Sequence, residues 1–89
     1  MTFNIKTELI QVNPEMARKL LATSQGNRLS NPFRIDAYVR DMLAGLWYIA
    51  ETIKVNDKGH LIDGHHRLLA VIKSGCVVPF LITWGLPEE

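Results

Sequence analysis

Proline follows asparagine twice in this chain, at Asn13-Pro14 and Asn31-Pro32, and each pair marks a helix start. An asparagine at the N-cap accepts from first-turn amides, and proline's fixed φ suits the first helical position, where an N–H is not needed. Glu15 adds an acid to the first turn of the first helix. At the second start, Ser30 or Asn31 can serve as the cap. Glycines supply the stops: Gly45 and Gly75 each follow a periodic segment, and glycine takes the left-handed C′ conformation at no steric cost. With this punctuation the chain holds only short elements.

The stretches between the marks read accordingly. Residues 7–12 are short and partly β-branched, and predict a strand. In the helix after Pro14, Met16, Ala17, Leu20 and Leu21 fall on one side, and the pattern fades by residues 24–26. Residues 25–32 form a polar loop containing Asn27 and Arg28. The spacing predicts a helix most plainly over 34–44, where Ile35, Tyr38, Val39, Met42 and Leu43 share a face while Asp36 and Arg40 sit four apart on another. Residues 53–56 alternate, 56–59 are turn-rich and 60–62 are apolar again, which predicts a hairpin. A third helix is expected over 65–74 and a last strand over 77–84, with Pro79 at an edge or bulge because it lacks a backbone donor. The order β-α-α-β-β-α-β gives an α+β fold, a small mixed sheet packed with about three helices.

At 89 residues there is room for a single domain, spanning residues 1–89, in which most apolar side chains must serve the core. Hydrophobic residues make up 47% and charged ones 21%, close to globular averages, so a core is expected. A formal net charge of +1 argues against a strongly basic nucleic-acid coat and against an acidic nucleic-acid mimic. Cys76 is the only cysteine, so no intramolecular disulfide can form, and it reads as a small packing residue. No apolar run reaches signal-peptide or membrane-span length, so a cytoplasmic chain with no membrane partner is expected.

The stretch that carries chemistry is Asp63-Gly64-His65-His66-Arg67, at a strand-to-helix junction. Gly64 lets the chain turn sharply and lets another group approach the backbone closely. First-turn amides have no intrahelical acceptor, and the helix dipole places partial positive charge there, so the junction suits a phosphate. Arg67 offers a bidentate, permanently charged clamp, and a histidine offers a donor whose charge depends on pH. At 100° per residue, Leu68, Leu69, Val71 and Ile72 define the buried arc. His66 and Arg67 fall outside it and are expected to face solvent, whereas His65 lies along its middle, against the sheet or at the floor of the site. The plain alternative is a turn glycine followed by an exposed polar face. His60, Asp63, His65 and His66 are metal-ligand types, but adjacent helical histidines diverge by about 100° and the spacing fits no recognised zinc pattern, so no metal site is expected. Trp47, Tyr48 and Trp84 suit a core better than a base-stacking surface in so short a chain. On spacing alone, Asn27 and Arg28 are ordinary loop residues.

Several segments together resemble a known family. Asn27-Arg28, Tyr38-Val39-Arg40-Asp41-Met42, Gly45-Leu46-Trp47, Ile53 and the run from Gly59 through Asp63-Gly64-His65-His66-Arg67-Leu68 are similar to ParB/sulfiredoxin-like domains, over residues 25–85. The small phage and mobile-element type is the nearest, with a helix start that usually reads Asp-Gly-Gln-His-Arg-Leu. The resemblance implies that Gly64, His65, His66 and Arg67 bind a nucleotide or another phosphate-bearing ligand, with Asp63, Asn27 and Arg28 nearby, and it makes a nucleotide with Mg2+ the candidate cofactor. Activities in the wider group include nucleotide hydrolysis, phosphoryl transfer and nuclease action. His65 stands where sulfiredoxins carry a reactive cysteine and where CTP-hydrolysing ParB proteins carry a glutamate, so neither chemistry is expected. ParB segregation proteins follow this module with a DNA-reading domain, whereas five residues follow Trp84, so sequence-specific DNA binding is not expected.

Two function classes follow. One is a nucleotide- or phosphate-binding module, for which Asp63 and Glu51 are the nearest acidic candidates for a general base, so catalysis stays open. The other is a non-catalytic interaction factor whose partner is a host protein complex, such as a CRISPR-type defence complex that it inhibits.

Overall fold

Both Asn-Pro pairs start helices by the capping chemistry their residues supply. In the computed structural model, which describes residues 4–24, 30–47 and 52–87, the Asn13 side chain accepts from the Met16 amide at 2.8 Å and opens α1 (Pro14–Ala22). Asn31, not Ser30, caps α2 (Pro32–Leu43): its Oδ1 accepts from the amides of Phe33 at 3.0 Å and Arg34 at 3.3 Å. The α2 stop follows from Gly45 at φ 71°, which lets the Gly45 amide donate to the Met42 carbonyl and the Leu46 amide donate to the Asp41 carbonyl. A third helix, α3 (His65–Ser74), ends at Gly75 in the same left-handed conformation.

Four strands complete the order β-α-α-β-β-α-β: β1 (Lys6–Val12), β2 (Thr52–Asn56), β3 (Leu61–Asp63) and β4 (Val78–Leu86). They form one sheet in the order β1-β4-β2-β3. Strand β4 runs antiparallel to β1 and parallel to β2, and β2 and β3 make the expected antiparallel hairpin, so the sheet is mixed and the fold is α+β. β4 is an interior strand, but at Pro79 only one of its two sides is laddered, which is the locally open position a residue without a backbone donor requires. Pro79 lies opposite Gln11 of β1, and the β2 register begins only at Leu81, so the missing donor falls ahead of the second ladder.

The core lies between one sheet face and a helical layer centred on α3, against which α1 and α2 both pack. Val12, Ile53, Val55, Leu61, Val78, Phe80 and Ile82 come from the sheet, and Ala17, Leu20, Met42, Leu68, Ala70 and Val71 from the helices. Within α2 only Met42 is fully buried, while Ile35, Tyr38 and Val39 pack against the core in part. Leu43 departs from the expected face and is 64% exposed, one 100° step on from the buried Met42 in the last turn. Leu69 and Ile72 are half-buried at the margins of the α3 arc, and Ala70 is buried although the apolar spacing had not singled it out. Asp36 pairs with Lys73 of α3 rather than leaning on Arg40, and both partners stay exposed, so the pair adds at most about 1 kcal/mol.

Asn56 is the buried polar side chain among the described residues, 4% exposed. Its Oδ1 accepts from the amides of Lys58 at 3.0 Å and His60 at 2.9 Å, which ties down the β2–β3 turn. Asn56→Ala should therefore leave two turn amides without an acceptor and cost about 1–3 kcal/mol in urea denaturation. A loss below about 0.5 kcal/mol would mean that water replaces the side chain at no cost.

Candidate functional site

The hairpin ends at Asp63, the chain turns at Gly64, and α3 begins at once with His65. Two physical demands meet at Gly64. Its φ of 109° lies in the left-handed region, and a Cβ there would run into the side chain of Ile53, which is fully buried and has no room to move. Gly64 also has no side chain with which to cap the helix, so the α3 start receives no side-chain cap from its own N-cap residue. Partial positive charge is therefore left at a helix start that borders a cleft.

That cleft, about 150 Å³ in volume, is lined by Asp63, Gly64, His65, His66 and Arg67 together with Arg34 and Tyr38 of α2. Five of the residues singled out in the sequence thus share one concavity, and α2 supplies its other wall. Two guanidinium groups face one carboxylate in the lining, with two imidazoles beside them. The rings of His65 and His66 lie edge to face, 6.2 Å between centroids.

His66 and Arg67 are held differently from what helical phase alone implies. Both are half-buried rather than solvent-facing. The Asn31 amide donates to His66 Nε2 at 3.0 Å, so this nitrogen carries no proton, and the imidazole ties the N-terminus of α2 to that of α3. Arg67 Nη1 donates to the Thr52 carbonyl at 2.7 Å, joining α3 to the start of β2. The 100° step away from the buried arc is correct, but α2 and β2 flank the helix start, so outward from the core points at neighbouring backbone. His65 is half-buried and lines the cleft. Asp63 lines the cleft too, and its carboxylate stands 4.0 Å from Lys54 Nζ across the hairpin.

Arg34 and Tyr38 were not among the site residues legible in the sequence. Arg34 Nε donates to the Tyr38 hydroxyl at 3.1 Å, and its guanidinium carbon lies 5.8 Å from the Tyr38 ring centre. The Tyr38 ring meets Trp47 edge-on at 5.5 Å, and Trp47 meets Phe80 at 5.4 Å, so a run of aromatic contacts anchors the cleft wall to the core. The available signal was the four-residue spacing of Arg34 and Tyr38, which puts both on one side of α2. Tyr38 packs its ring against the core, as its helical phase predicts, and lines the cleft as well.

Trp47, Trp84 and Cys76 are half-buried against the core, as packing residues should be. Asn27, Arg28, Tyr48 and Glu51 lie outside the described residues. Among the described residues, no three His, Cys, Asp or Glu side chains converge as a metal site would require, and no helix is long and apolar enough to cross a membrane. Compared with known proteins, the chain matches no family model, no curated protein and no solved structure.

Proposed function

We propose that this chain is a ParB/sulfiredoxin-like module that binds a phosphate-bearing ligand, a nucleotide foremost, at the helix start formed by Gly64, His65, His66 and Arg67. The observation that carries the reading is the convergence of Arg34, Arg67, His65 and His66 on one small cleft at an α-helix N-terminus. Fixed cations and helix-start partial charge both favour a compact anion there. Size narrows the choice. A cleft of about 150 Å³ is well below the roughly 300–1,000 Å³ of sites that enclose a whole small molecule, so it accommodates a phosphoryl group while the rest of the ligand lies outside. Asp63 is the one carboxylate among the described lining residues, which suits a Mg2+ ion held mainly by ligand phosphates and water.

Thermal shift with inorganic phosphate and with nucleoside triphosphates, each with and without Mg2+, tests the reading. A ligand at one hundred times its dissociation constant adds about 2.7 kcal/mol, which raises the melting temperature of a domain this size by about 10 °C or more. Arg34→Ala is the discriminating variant, because Arg34 is exposed and its removal opens no core. It should weaken binding about tenfold and move the ligand-free melting temperature by less than about 3 °C. Unchanged melting with phosphate and every nucleotide would sink the proposal.

The same charge distribution sets an expectation for nucleic acid. Lys and Arg total ten, balanced by nine acids, so only about three phosphates of a duplex are neutralised together. Binding to duplex DNA should then be weak and indifferent to sequence, with a log–log salt slope near −3 in an anisotropy titration. Tight, sequence-selective binding at physiological salt would put operator recognition in place of ligand binding.

A second reading is favoured by Phe33, Leu43 and Leu46, which are 85%, 64% and 57% exposed along α2 and its exit. Exposed apolar side chains of this size suit a protein partner, as in a non-catalytic factor that inhibits a host CRISPR-type defence complex. A chain that ignores every phosphate ligand yet inhibits such a complex, and loses that effect on Phe33→Ser, would establish it over the first.

A further inference from the structure

Strand β1 stands at the edge of the sheet, so one side of its seven-residue backbone meets no strand among the described residues. It contains no proline, and its side chains divide cleanly by face. Thr7, Leu9 and Gln11 share the sheet face that carries Pro79, Leu81 and Thr83, none of them buried, while Lys6 and Glu8 lie on the other. Leu9 is 53% exposed and Ile5, just before the strand, 49%. Edge strands are usually protected by charge, and here the charges alternate in sign, Lys6 then Glu8, 3.5 Å apart and both open to solvent.

That pattern is self-complementary in one register. We propose that β1 pairs antiparallel with β1 of a second copy of this chain, about a two-fold axis through Thr7. Lys6 then faces Glu8 of the second copy and Glu8 faces its Lys6, while Ile5 faces its Leu9 and Leu9 its Ile5. On the open face, the existing pairs Leu9↔Leu81 and Thr7↔Thr83 extend across the axis into one continuous arrangement. An apolar row of Leu81, Leu9 and the second copy's Ile5 runs beside a threonine row in which Thr7 and Thr83 already join hydroxyls at 3.0 Å. Neighbouring two-fold registers that keep the faces matched are worse. An axis at Lys6 sets Lys6 against Lys6, and one at Glu8 sets Glu8 against Glu8. An axis at Leu9 sets Glu8 against Ile10. The product is an isologous dimer with a single eight-stranded sheet, within the usual range of strand number. It uses a different surface from the cleft and stands whether or not that site binds phosphate.

Charge reversal with restoration tests the register, read by sedimentation equilibrium from micromolar to millimolar protein. The natural chain should pass from a mass of 10.1 kDa to twice that as concentration rises. Lys6→Glu should weaken dimerisation about tenfold, because two attractive pairs become repulsive at once, and Glu8→Lys should do the same. The double variant Lys6→Glu/Glu8→Lys restores both pairs and should return to within about threefold of the natural chain. Lys6 is exposed and Glu8 keeps 39% of its side chain open to water, so the variants should melt within a few degrees of one another as monomers. A monomer at every concentration overturns the proposal, as does a dimer indifferent to the single reversals. A double variant as weak as the singles overturns it as well.

Discussion

Leu68→Ala should remove about 3–5 kcal/mol of stability, measured by urea denaturation at fixed m-value. Leu68 is fully buried on α3, the helix against which α1 and α2 both pack, so the cavity opens where three helices and the sheet meet. For a domain of 89 residues the whole stability is about 4–13 kcal/mol, so this one truncation consumes a large share of it. Ile72→Ala, one turn further along the same helix but half-buried, should cost clearly less, about 1–2 kcal/mol. Equal losses at the two positions would mean that the α3 burial pattern is wrong. Arg67→Ala acts through a lost hydrogen bond rather than a cavity. It loses the bond to the Thr52 carbonyl that joins α3 to β2, so it should cost about 1–2 kcal/mol as well as weakening any anion binding.

Gly64→Ala should cost about 2–5 kcal/mol, although it adds a single methyl group. Two penalties act together: an L side chain is strained at φ 109°, and its Cβ meets the Ile53 side chain in a filled core. A double-mutant cycle separates them. Ile53→Val removes the Cδ1 atom that the new methyl meets, so the second substitution should recover about 1 kcal/mol or more of the clash and none of the backbone strain. Strict additivity of Gly64→Ala and Ile53→Val would show that the strain lies wholly in the backbone. A Gly64→Ala variant within about 0.5 kcal/mol of the natural chain would show that the turn at the head of α3 is not built as described.

How far each part was legible in the sequence follows from the range of the forces involved. The starts of α1 and α2, the stops at Gly45 and Gly75 and the β2–β3 turn depend on neighbours within a few residues: Asn13 reaches the Met16 amide, Asn56 reaches Lys58 and His60. Such bonds join near neighbours in sequence, so the residue types alone announce where they fall. Burial in the middle of α3 was also legible, because a helix of fixed pitch puts Leu68 and Val71 on one side. Legibility faded at the ends of faces. Leu43 obeys the same periodicity as Met42 but stays exposed, and periodicity carries no information on where a neighbouring helix stops.

The elements, their order, the α+β class and the glycine-led junction with Asp63, Gly64, His65, His66 and Arg67 side by side were all legible from residue types and their spacing. The tertiary structure decided what those residues touch. Insertion of β4 between β1 and β2 is a long-range choice with no local signature. Packing of α2 beside α3 brought Arg34 and Tyr38 to the cleft and the Asn31 amide to His66, across 35 residues of chain. The start of β2 likewise captured Arg67 through the Thr52 carbonyl. Helical phase fixes the direction in which a side chain leaves its own axis, and nothing in that angle says whether water or another segment waits there. The answer comes only from the packing of helices and sheet around one core, where apolar area buried at Leu68, Phe80 and Ile53 outweighs any single polar contact at the rim.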